Sequence, residues 1–273
     1  MHSKFGRCVQ FAHAATLCIA RVFRQVCVFA ILTVAMAFTA HAVTYDLQSQ
    51  FSSTDNPNGV WTYREGNNAL PLVADWTPLT APVVQPAWAT GLQSPGPFIP
   101  AWFQSTSDNP GGNDIITGDV VVHSTDSFSG GTAGPANVIW TSLSAGTIDI
   151  SGNAWRTRDI GRSNDWTLFL NGVAISSGNL VSNDGFDRSN PFDFSDGTGG
   201  LMALTALAVS PGDIIGLEIL KASGDLFGDF VGVNLTIDLA PVPLPAAFPL
   251  FAGGLGLLGL LGWRRKRMAA AAV

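Results

Sequence analysis

The chain has 273 residues, with 14 basic against 20 acidic and a net charge of −6. That average hides a segregation: Asp46 to Asp238 holds every acidic residue and only six basic ones, a balance of −14, while eight basic residues stand at the two ends. The net field of such a middle repels polyanions, which excludes DNA and RNA as partners.

At the N-terminus, Lys4, Arg7, Arg21 and Arg24 precede the apolar run VCVFAILTVAMAF, Val26 to Phe38. Ala40-His41-Ala42 follows, a small-x-small pattern suited to signal peptidase. Residues 1–42 are therefore predicted to be a signal peptide, with the exported chain starting at Val43. The apolar run is short for a retained membrane helix. Cys8, Cys18 and Cys27 all lie in the part to be removed. The exported chain then has no disulfide, no thiolate nucleophile and no cysteine-bound zinc.

Residues 43–240 are predicted to be one exported domain. Its first part, 43–113, is irregular and rich in proline and tryptophan. From 114 to 240 the pattern is that of strands. GDVVVH, ANVIW and ALTALAV are short apolar runs; GTIDISG alternates through Ile148 and Ile150. WTLFLNGVAIS, Trp166 to Ser176, reads as a hairpin, because Asn171-Gly172 suits the positive φ angles of a type I′ turn. DIIGLEILK follows the turn Ser210-Pro211-Gly212. VNLTIDL alternates strictly, with Val233, Leu235, Ile237 and Leu239 on one face. Helix starts and long amphipathic stretches are lacking. An all-β, antiparallel β-sandwich of jelly-roll type is the fold expected.

Catalytic chemistry is thinly supplied. The exported chain keeps one histidine, His123, and no G-x-S-x-G elbow, so neither a serine triad nor a histidine metal site is indicated. His123 reads as a structural or strand-edge residue. Eighteen aspartates and two glutamates, Glu65 and Glu218, offer carboxylates by number, yet no distinguishing pair, and aspartate in turns mostly serves the turn. Glu218 alternates with Leu217 and Ile219, which places it on a solvent face. SNDGFDRSNPFDFSDGTGG gathers Asp184, Asp187, Asp193 and Asp196; these either wrap a structural calcium with oxygen ligands or line a solvated loop in which Arg188 neutralises one carboxylate. Trp61, Trp76, Trp88 and Trp102 lie in the irregular part and are the candidates for stacking on sugar rings, the alternative being core packing. Trp140 and Trp166 sit in strand patterns and are predicted to be core.

The tail begins with Pro241-Val242-Pro243-Leu244-Pro245-Ala246. Ala246 to Trp263 is free of charge for 18 residues, ~27 Å as a helix, so a single transmembrane helix is expected over 246–263. Arg264, Arg265, Lys266 and Arg267 would remain inside as the membrane stop. Gly254-Leu255-Gly256-Leu257-Leu258-Gly259 matches the dinucleotide fingerprint by letter only, since no strand precedes it and no acidic residue follows.

Val242, Pro243, Leu244, Pro245 and Ala246, the apolar run and the basic end together resemble the PEP-CTERM sorting signal in its VPLPA variant, where Leu244 replaces the usual glutamate. That resemblance implies an exosortase, a membrane-embedded transpeptidase-like enzyme, as partner beside signal peptidase, and a Gram-negative source that makes exopolysaccharide. FSSTDNPNGVWTYREG resembles the opening of many exported domains of this group. VVVHS, AGTIDISG, SPGDII and GDFVGVNLTI are similar to its sandwich repeats, which implies a carbohydrate-binding-module-like fold and brings no defined activity. The chain is thus expected to pass through the inner membrane, anchored for a time, and to end in the envelope, on the outer surface or in the extracellular matrix. A non-catalytic protein associating with exopolysaccharide is the function expected. The alternatives are a polysaccharide-acting hydrolase or lyase using Asp/Glu carboxylates, and a structural envelope protein without ligand. No cofactor is implied beyond the calcium considered above.

Overall fold

The structure, a computed structural model, describes residues 42–77, 83–90, 98–127, 134–241 and 247–270. Among these residues strands dominate: β1 (Val43–Asp46), β2 (Trp61–Glu65), β3 (Asn68–Ala69), β4 (Leu72–Trp76), β5 (Gln85–Ala89), β6 (Ala101–Gln104), β7 (Val120–His123), β8 (Ala136–Thr141), β9 (Gly146–Arg156), β10 (Asn164–Leu170), β11 (Val173–Leu180), β12 (Phe192–Asp193), β13 (Leu207–Val209), β14 (Ile214–Lys221) and β15 (Phe230–Pro241). One helix, α1 (Ala247–Ala270), follows.

The strands form two sheets in which every pairing is antiparallel. The first runs β12-β9-β15-β7-β6-β5-β4, with β1 added to β15 and β13 to β9; the second runs β11-β10-β14-β8-β2-β3. Period-two patterning explains the stacking. On β15, Val231, Val233, Leu235, Ile237 and Leu239 are buried, while Asn234, Thr236 and Asp238 on the other face are only half-buried. Those apolar side chains meet Val138, Trp140, Trp166, Leu168, Ile215, Leu217 and Ile219 of the second sheet in one shared core. A β-sandwich results. A smaller core of Trp76, Ala87, Phe103, Val121 and Phe230 lies apart from it.

The hairpin signal holds: Leu170 pairs with Val173 across Asn171 (φ 51°) and Gly172 (φ 80°), positive angles that a type I′ turn requires. The proline- and tryptophan-rich stretch is woven into the sandwich. It gives β2 and β3 to the second sheet and β4, β5 and β6 to the first. His41–Val242 forms one compact unit. Among the described residues both hydrophobic cores fall between Leu47 and Leu239, inside that unit.

β15 has β9 along the whole of one edge, while β7 and β1 share the other. Its last ladder pair is Pro241 with Gly146. Val43 pairs with Leu239, so both ends of the sandwich chain leave at the same place.

Met1–Ala40 and Pro243–Val273 belong to a second unit. The expectation of a bilayer crossing at 246–263 is not supported. A helix does form over Ala247–Ala270, yet among the described residues no helix is long and apolar enough to cross a membrane. Ala40 and Val242 to Ala246 lie outside the described residues; Ala42 is described and directly precedes β1.

Candidate functional site

The face of the first sheet turned away from the shared core is built by the polar half of two strands. β15 presents Gly232, Asn234, Thr236 and Asp238 there, and β9 presents Trp155, Asn153, Ser151 and Asp149, each the off-phase partner of a buried residue. Asn234 Nδ2 donates to Asn153 Oδ1 (3.0 Å), and Asn153 Nδ2 donates to Asp193 Oδ1 (3.4 Å) on β12. Farther along, Thr236 donates to Asp46 of β1 (3.2 Å), and Thr44 donates to Asp238. A continuous row of amides, hydroxyls and carboxylates results.

At one end of this row lies a cleft of about 150 Å³, lined by Gln48, Asp119, Asn153, Trp155, Arg188, Pro191 and Asn234. Trp155 backs it, with 2% of its surface exposed. The indole lies against Gly232, where any Cβ would strike the ring, and its Nε1 donates to the Asp114 carbonyl (3.3 Å). Arg188 reaches over it, with the guanidinium 5.8 Å from the ring centroid. The same guanidinium is fixed by two bonds to one carboxylate: Nε to Asp119 Oδ2 (3.0 Å) and Nη2 to Asp119 Oδ1 (2.6 Å). Asp119 is buried and also accepts the Ile116 amide (2.9 Å). This carboxylate raises the Arg188 pKa further, so the guanidinium is charged at all working pH values.

A second cleft of about 460 Å³ adjoins the end of β9, lined among others by Asp114, Arg156, Arg158, Asp159, Phe186 and Asp187. One of its two arginines, Arg156, is already matched, while Arg158 Nε is buried without a hydrogen-bond partner among the described residues. Buried Arg156 holds Asp184 through Nε (3.2 Å) and Nη2 (2.7 Å), and Asp159 through Nη1 (3.0 Å). The Ser182 hydroxyl, the Asn183 amide and Arg156 hold Asp159 well below the usual carboxylate range. Asp187 is lowered by the Ser189 hydroxyl and neighbouring amides.

Of the two readings of the 184–196 aspartates, the described residues do not assemble the calcium site. Asp184 is taken by Arg156 and by the Val181 and Phe186 amides; Asp187 caps its own turn through Ser189 and Asn190; Asp193 faces Asn153; Asp196 ends the 3-10 turn Phe194–Asp196. Among the described residues no group of three or more His, Cys, Asp or Glu could hold a metal ion. Arginine and backbone N–H groups neutralise this loop in place of a cation. Arg188, expected to neutralise one carboxylate of its own loop, reaches across to Asp119.

The four tryptophan platforms are also corrected. Trp61, Trp76, Trp88 and Trp102 are at most 4% exposed. Trp61, Trp88 and Trp102 fill the shared core and Trp76 the smaller one. Bonds from Trp61 to Gln50, Trp88 to Ser52 and Trp76 to Phe98 place three of the indole N–H groups, so those rings bury their large apolar area at little polar cost, whereas Trp102 Nε1 is buried without a hydrogen-bond partner among the described residues. Irregular sequence around a tryptophan did not mean exposure. Trp155, which backs the first cleft, sits in a strand one residue out of step with Ala154 and, at 2% exposed, is no stacking platform either.

His123 is buried and bonded through Nδ1 to the Ser124 carbonyl (2.7 Å), with its ring edge-on to Phe230. Glu218 stands on the outer face of β14, and partial burial raises its pKa.

No protein-family model and no curated protein matches the chain. Among solved structures, a carbohydrate-binding module, CBM36, in complex with calcium and xylotriose is similar at 12% identity and a TM-score of 0.22, over 64% of this chain and 97% of that one. The xylan-binding module CBM15 is similar at 8% identity and a TM-score of 0.26, over 74% and 99%. The catalytic domain of a GH87 α-1,3-glucanase in complex with nigerose is similar at 14% identity and a TM-score of 0.25; the match covers 68% of this chain and only 29% of that one. At TM-scores this low the likeness identifies neither a family nor a function.

Proposed function

We propose that this is an exported, non-catalytic protein of the bacterial surface or extracellular matrix that associates with polysaccharide through the outer face of its first sheet. One observation carries the reading: the Asn234–Asn153–Asp193 row opens into a cleft lined by Gln48, Asn153, Arg188 and Asn234; Trp155, only 2% exposed, backs that cleft and offers no stacking face. Carboxamides offer donor and acceptor side by side, which suits a sugar hydroxyl that is both. The reading without catalysis is supported by the carboxylates. A glycosidase needs an acid with a raised pKa facing a second carboxylate across a sugar. The two carboxyls raised by burial, Glu218 and Asp229, line neither cleft, and Asp159 and Asp187, which line the second, are lowered.

In the same proposal residues 1–42 direct export by a Gram-negative cell, the tail holds the chain at the inner membrane for a time, and an exosortase acts at Val242 to Ala246. The support is the tripartite sequence and the position of the motif, which starts one residue past the last ladder pair of β15. Co-sedimentation of the His41–Val242 unit with exopolysaccharide, beside an Asn153→Ala/Asn234→Ala double variant, tests the binding claim. Binding lost in the variant without release of sugar supports it; release of reducing sugar overturns it.

A further inference from the structure

Resting on that reading, we infer that the glycan taken by this face is a neutral one, and that uronic or otherwise anionic polymers are excluded. The residues between Asp46 and Asp238 balance at −14, so a polyanion meets repulsion before contact. At the cleft itself Arg188 is the one cation among the lining residues, and two of its nitrogens are committed to the buried Asp119. Its guanidinium is also spread over Trp155. A sugar carboxylate arriving here would have to compete with a bidentate internal partner already desolvated, and winning would strand Asp119.

Beyond the cleft the face offers acceptors. Asp238 on β15, Asp149 on β9, Asp193 on β12 and Asp46 on β1 stand along it, with the amides and hydroxyls between them. Neutral sugar hydroxyls donate well to carboxylates, since an ionised acceptor strengthens the bond. A chain bearing a carboxylate on successive residues would instead lay like charge against like.

The test compares neutral polymers (a β-glucan, a xylan, a mannan) with polygalacturonate and alginate on the His41–Val242 unit, by affinity electrophoresis or calorimetry. It is run at about 10 mM and about 0.15 M salt, between which the screening length falls from ~30 to ~8 Å. The expected result is at least roughly tenfold preference for a neutral polymer at low salt, narrowing as salt rises. Polyuronate bound more tightly than every neutral polymer at low salt would overturn the inference and leave the face as a glycan site. Binding to neither class, or binding indifferent to Asn153→Ala/Asn234→Ala, would overturn the face reading as well. Should that double variant fail to fold, Asp149→Asn/Asp238→Asn keeps an acceptor oxygen at both positions and removes two charges. It is expected to narrow the neutral-to-uronate ratio at low salt; an unchanged ratio counts against the inference.

Discussion

Val43 stands opposite Leu239 in the β1–β15 ladder, so the start expected for the exported chain and the residue three places before the Val242 motif lie side by side. Cleavage after Ala42 leaves β1 whole, and cleavage within Val242 to Ala246 leaves β15 whole. Protein recovered from its own cells is expected to begin at Val43 and to end within that motif. Intact-mass spectrometry checks both ends at once. A chain still ending at Val273 in cells that possess the matching transpeptidase contradicts the sorting proposal.

Gly232 lets Trp155 lie flat against β15, because a Cβ there would meet the indole. Gly232→Ala is expected to displace the ring from the back of the cleft and to lower stability by about 1–3 kcal/mol. Thermal unfolding gives the cost, and the near-ultraviolet circular dichroism of the indole should change with it. A variant as stable as the parent would show that the ring has room to move.

Arg188 and Asp119 act as a pair. Arg188→Ala leaves a buried carboxylate without its bidentate partner, with an expected loss of about 1–3 kcal/mol given that Arg188 itself is partly exposed. Arg188→Lys should recover only part, since an ammonium cannot bond both oxygens in the same plane. Denaturant titration of the two variants separates geometry from charge; full recovery by lysine would mean that charge alone suffices.

Asp229 is buried, and desolvation pushes its pKa up to about 6, against the Phe230 amide and the nearby Arg162, Arg158 and Arg156, which favour the ion. Its folded pKa exceeds the unfolded one, so the native state binds the extra proton between about pH 4 and 6, and stability from this group falls as pH rises through that window. His123 works the other way, because burial lowers its pKa and acidification costs the fold. Asp229→Asn isolates the first effect. It is expected to stabilise the protein on the order of 1–3 kcal/mol at pH 7 and to change little at pH 4. Equal shifts at both pH values would show that the carboxyl's charge is not the cause.

The strands were legible because burial on one side imposes a period of two, which β15 follows from Val233 to Leu239, and because Asn171-Gly172 marks the hairpin turn. The sheet order was not, since β9–β15 pairing joins positions some eighty residues apart and leaves no local mark. The site fell in that gap. Asn153, Asn234 and Asp193 come from three strands; the two asparagines look like ordinary solvent-face residues, and Asp193 like part of a loop cluster, until the ladder brings them together. The aspartates of 184–196 left calcium and a solvated loop both open for a related reason: Arg156, which neutralises Asp184, lies 28 positions away.

The most direct measurement is nuclear magnetic resonance of the His41–Val242 unit titrated with a neutral oligosaccharide. The side-chain amides of Asn153 and Asn234 and the indole N–H of Trp155 are expected to shift together and to saturate. Shifts confined to the outer face of the second sheet, around Glu218 and Asn137, would contradict the account.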